Sequence, residues 1–165
     1  MDSIWSFMER VGDAEGFDTQ FITLTLTIAL GFSFIGAIVS AAVDGRASRF
    51  AFILLSYICL FVAIYSIGNH PAAMTYAIAI CVYNFFYSFA IPFQSGWIAS
   101  ADKTGRTVVL LPVFQGIGLA AGPLLAGLVV NNGDYTPISR LSITFLIVST
   151  VLFFAMEKTS RLHAR

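Results

Sequence analysis

Five polar side chains inside otherwise apolar stretches are where this sequence could do chemistry. Tyr83, Asn84, Tyr87 and Gln94 stand in one uncharged run from Pro71 to Ala101, and Gln115 stands in another from Val108 to Val130. Tyr76, Tyr83, Tyr87 and Gln94 are separated by seven, four and seven residues, which puts them on one face of a helix, with Asn84 beside it. Phenol rings can stack on a solute, and amides donate and accept hydrogen bonds without carrying charge. These residues therefore read as the wall of a small-solute cavity. They read equally as aromatic packing and hydrogen bonding between helices, with Tyr76 an interfacial anchor. An unpaired amide in hydrocarbon is costly, so Asn84 is expected to face protein or water.

Gln115 shares its helix face with Gly118 and Gly122, and Ala126 extends that stripe by one turn. Small residues at this spacing let helix backbones approach closely in lipid, so Gly118, Gly122 and Ala126 are expected packing positions. Thr19, Thr23 and Thr27 recur every four residues, where hydroxyls can bond back to their own helix. Asp44 with Arg49, and Asp102 with Arg106, lie in short polar connections. They read as ordinary loop and capping residues.

Other chemistry finds little support. No nucleophile–base pair or phosphate-binding loop stands out, so an enzyme is not expected, and no cofactor is implied. His70 and His163 lie far apart without metal-ligand spacing, and Cys59 and Cys81 fall inside apolar runs as small packing groups. A formal charge of zero gives no basic patch for nucleic acid. No Asp, Glu, Lys or Arg lies deep in the first four apolar runs. A proton-coupled process would then need its ionisable group from elsewhere.

The elements that position these residues follow from composition. The chain has 165 residues, 58% hydrophobic and only 11% charged, against about a quarter charged in an ordinary soluble domain. Such a chain has too little interior to hide its apolar surface from water, but lipid removes that requirement. Crossing a hydrocarbon core of about 30 Å takes around 20 helical residues. Residues 21–43, 50–68, 72–99, 108–130 and 138–156 are the expected spans, giving an all-α integral membrane protein of five helices in a single membrane domain. Short connections make successive helices antiparallel neighbours. Residues 4–11 place Ile4, Phe7, Met8 and Val11 on one face of a helix too short to span. The first twenty residues lack a basic segment, so a cleaved secretory signal is not expected.

Orientation follows from basic residues. With the C-terminal tail of 157–165 inside, Arg46, Arg49, Lys103, Arg106, Lys158, Arg161 and Arg165 lie inside and only Arg10 and Arg140 outside, seven against two. The outer segment of residues 1–20 is acidic instead. The N-terminus is therefore expected outside and the C-terminus inside.

Several stretches resemble the C-terminal half of a major facilitator superfamily transporter. Ile4 to Gly12 looks like the end of that half's first helix, the seventh of twelve. Gly31 to Arg49 is similar to the eighth helix entering the family's Gly-x-x-x-Asp-Arg-x-Gly-Arg-Arg loop, with Asp44 and Arg49 in register and Ser40, Gly45, Ala47 and Ser48 at the other defined positions. Gln94-Ser95-Gly96-Trp97-Ile98-Ala99-Ser100-Ala101-Asp102-Lys103-Thr104-Gly105-Arg106 resembles the tenth-to-eleventh helix connection of bacterial members, and Gly116 to Pro123 their glycine-rich eleventh helix. The resemblance implies helices eight to twelve plus a remnant of seven, an incomplete half, in which Asp44, Arg49, Asp102 and Arg106 would hold an inner gate closed through charged contacts between helices. It further implies secondary transport of a small solute by alternating access, and a location in the bacterial inner membrane. The lipid bilayer, the solute, and a missing N-terminal half or a homo-oligomer partner would be its partners. A membrane interaction or assembly subunit, or a truncated non-functional fragment, is the alternative.

Overall fold

The computed structural model describes residues 5–101, 106–130 and 134–163, apart from the side chains of 101, 106–108 and 159–163. A short helix α1, Met8–Ala14, precedes five long ones: α2 Thr19–Val43, α3 Arg49–Ile67, α4 Ala73–Ala101, α5 Arg106–Val129 and α6 Thr136–His163. Local chemistry sets several starts. The Asp18 carboxylate accepts hydrogen bonds from the Gln20 and Phe21 amides at the head of α2, and Ser48 Oγ accepts from Ala51 N at the head of α3. Asp134 Oδ1 accepts from Thr136 N at the head of α6. Gly45, at a φ of 80°, follows the end of α2, where a side chain would be strained.

All five long helices contain a stretch long and apolar enough to cross a bilayer. Their large side chains are widely exposed, with Phe34 71%, Val109 74% and Leu128 76% accessible. Water would not tolerate such a surface, and lipid would. The fold is therefore an all-α, multi-pass membrane architecture.

Helix α4 is the central element. It packs most extensively against α2 on one side and α3 on the other, while α6 leans on α3 and α5 touches α4 and α6 only lightly. The short link after Val43 makes α2 and α3 antiparallel, yet α4 separates them and forms the main contact of each. The reason lies on α2. Ile22, Thr25, Ala29, Ser33, Gly36 and Ser40 form a mostly small face at helical spacing. A Cβ on Gly36 would overlap the Phe85 carbonyl of α4, and the Ser33 and Ser88 hydroxyls meet beside it. Close backbone approach needs small residues, and here they belong to α2.

The main difference from the expected spans lies at the end of α6. The last helix continues to His163, well beyond 156, because a helix need not end where apolar residues do. Helix α4 runs through Pro92, and α5 through Pro112 and Pro123. The expected N-terminal turn is present as α1, with Phe7, Met8 and Val11 buried in the protein core, while Ile4 lies outside the described residues.

Candidate functional site: a cavity between α3, α4, α5 and α6

A cavity of about 410 Å³ lies near the middle of these four helices, with Tyr57, Tyr87, Gln94, Gln115 and Ser149 as its polar lining. Gly118, Gly122 and Leu125 of α5 and Phe145 and Leu146 of α6 contribute apolar wall. Each residue stands where its helix passes the central part of its spanning stretch, except Gln94, two turns beyond Tyr87. The site thus lies partway along the helices rather than at an end, with Gln115 and Gly118 on its α5 side exposed.

Its polar groups are linked across three helices. Gln94 Nε2 donates to the Tyr57 hydroxyl over 3.4 Å, and that hydroxyl lies 2.8 Å from Ser149 Oγ. With Gln94 donating, the phenolic proton remains available for Ser149. Tyr57 is only 5% exposed, and its ring packs edge-on against Phe153 at 6.0 Å. Gln115 makes no hydrogen bond within the described residues, so its amide retains both donor and acceptor capacity.

The sequence candidates divide into two groups. Tyr87, Gln94, Gln115, Gly118 and Gly122 meet at the cavity. Tyr83 and Asn84 do not line it. Tyr83 is 2% exposed and stacks on Tyr87 with centroids 6.0 Å apart, and Asn84 Nδ2 donates to Ile80 O within α4 at 3.0 Å. Tyr76 is not an interfacial anchor: it is fully buried, and its hydroxyl donates to Met8 O at 2.7 Å, holding α1 against the bundle. On α5, Ala126 is fully buried, but a Cβ on Gly118 would meet nothing within 4 Å. Thr23 and Thr27 bond back to Thr19 O and Thr23 O.

At the end of the bundle where α2 and α4 finish, Arg49 lies 3.9 Å from Asp44 and its Nη1 donates to Gly96 O at 3.0 Å. The guanidinium thus ties the head of α3 to the last turns of α4. Trp97 Nε1 donates to Glu157 at 3.1 Å, tying α4 to α6. Asp102 lies outside the described residues, as does the side chain of Arg106.

At the opposite end, a cavity of about 580 Å³ collects Glu15, His70, Asp134 and Arg140. His70 Nδ1 and Glu15 Oε1 are 2.8 Å apart. Hydrogen bonds from the Thr136 hydroxyl and amide, with smaller help from Arg140 and His70, hold the Asp134 carboxyl below its ordinary value.

Sequence reasoning missed Tyr57 and Ser149. Each stands in a polar pair, Ser56-Tyr57 and Ser149-Thr150, within a strongly apolar run, and the available signal was only that each pair breaks such a run. The Trp97–Glu157 contact joins residues 60 apart in sequence and left no local trace.

Compared with protein-family models, curated proteins and solved structures, the chain matches none of them.

Proposed function

We propose that this chain is part of a secondary transporter of the major facilitator type, moving a small solute by alternating access through the cavity between α3, α4, α5 and α6. The observation that carries this reading is the linked group of Gln94, Tyr57 and Ser149, with Gln115, around a cavity of about 410 Å³ set halfway along spanning helices. Sites of secondary transporters lie near the bilayer midplane at the junction of repeated halves. In this reading the opposite wall comes from another set of helices, supplied by a separate N-terminal half or a second copy. The Arg49–Gly96 and Trp97–Glu157 contacts then serve as an inner closure. In this reading the N-terminus lies outside, the C-terminus in the cytoplasm and the chain in the bacterial inner membrane, from the seven-to-two excess of basic residues on the inner side.

A second reading draws on α5, of whose spanning stretch only 6% is buried. A helix so lightly held suits an assembly subunit that completes its packing against another protein.

Two-sided cysteine labelling separates the readings. Cys59 and Cys81 are first replaced with alanine, and Gln115→Cys or Leu128→Cys is then introduced. Alternating access expects the cysteine at Gln115 to react with an impermeant thiol reagent from either side of oriented vesicles, and the one at Leu128 from neither. Protection at Gln115 from both sides would defeat the transport reading.

A further inference from the structure

We infer that the part of the solute held by this chain is electrically neutral: an apolar, ring-sized body with one alcohol, amide or carbonyl edge. This inference rests on the solute-cavity reading above and specifies the class of molecule.

Among the described residues lining the central cavity there is no Asp, Glu, Lys, Arg or His. Its polar chemistry is carried by two amides and three hydroxyls. An ion brought to this depth would lose its water without meeting an opposite charge, which is strongly unfavourable. A neutral polar group incurs no such loss. The Gln115 amide offers it a donor and an acceptor together, and Gln94, with one N–H directed to Tyr57, still has a carbonyl acceptor.

The walls select the rest of the molecule. Tyr87 and Phe145 present aromatic carbon, and Leu125 and Leu146 aliphatic carbon. Gly118 leaves its part of the α5 wall without a side chain, so a flat ring can lie against the backbone there. Charged residues gather instead in a separate cavity at one end of the bundle, where Glu15, His70, Asp134 and Arg140 meet.

Three probes of one shape test this: 4-phenyl-1-butanol, 4-phenylbutyrate and 4-phenylbutylammonium. Binding to the full chain in lipid nanodiscs is followed by saturation-transfer NMR at neutral pH, with empty nanodiscs subtracted. The alcohol should bind saturably and at least about tenfold more tightly than either ion, since only the ions must be desolvated without a counter-charge. Replacing Gln94 and Gln115 together with Leu should weaken the alcohol by about fivefold or more, the loss expected of unmade hydrogen bonds. Tyr57→Phe, which keeps the ring volume, provides a milder second variant if the double one fails to fold. An ion that binds as tightly as the alcohol, with the same sensitivity to these variants, overturns the neutral class and leaves the solute cavity standing. Failure of all three probes to show variant-sensitive binding overturns the cavity reading and this inference with it.

Discussion

Tyr57 places one oxygen between Gln94 of α4 and Ser149 of α6, and Tyr57→Phe removes both contacts while keeping the ring against Phe153. Polar contacts within membrane proteins average only about 0.6 kcal/mol. Thermal unfolding of the Phe variant in detergent should therefore show a small loss, and collapse of the fold would make this tyrosine a structural pillar. Asn84→Leu should be similarly mild, because its amide bonds back to its own helix at Ile80 O. Asp134 gives a pH-dependent counterpart. Its folded pKa lies below the ordinary 3.8, so its stabilising contribution is present above that value and is lost as pH falls through the lower folded value. Melting temperature measured down into that acid range should fall less steeply for Asp134→Asn than for the parent chain. Identical slopes would remove Asp134 from the account of how α6 begins.

Helix positions were legible because a run of about 20 apolar residues has few alternatives in lipid. Helix faces were much less so. In water, a buried face stands out against polar ones; in lipid every face is apolar, and periodicity fades. That is why Gly118 and Gly122 stood out as a packing motif, while Gly36, flanked by Ser33 and Ser40 at spacings of three and four, is the one that meets backbone where Gly118 meets nothing. Tyr87, Gln94 and Gln115 were legible as candidates for the cavity wall they line, because amides and phenols within a span need a reason. Tyr57 and Ser149 were not, since what unites them with Gln94 is the meeting of three helices. Gly36→Leu should cost about 1–3 kcal/mol, the usual range for overpacking, or more where backbone is struck. Gly118→Leu should leave thermal stability nearly unchanged, because it projects into open space. Equal losses in the two variants would refute this assignment of the close contact.

Taken whole, the chain is a bundle organised on α4, with charge at both ends and amides and hydroxyls in between. Its orientation can be checked in intact cells after Cys59 and Cys81 are replaced: a cysteine at Asn132 should react with an impermeant reagent, and one at Thr104 should not. The reverse pattern would invert the topology. Reconstituted alone as a monomer, the chain should give no saturable solute uptake, because α5 is too lightly packed to enclose the cavity. The most direct test of the division into lipid-facing surface and inner cavity is spin-label accessibility in bilayers. Labels at Gln94, Gln115, Phe34 and Leu128 can be compared for relaxation by a water-soluble nickel chelate and by oxygen, which concentrates in lipid. Nickel should dominate at Gln94 and Gln115, and oxygen at Phe34 and Leu128. Oxygen dominance at Gln115 equal to that at Leu128 would place that side of α5 in lipid and contradict the cavity.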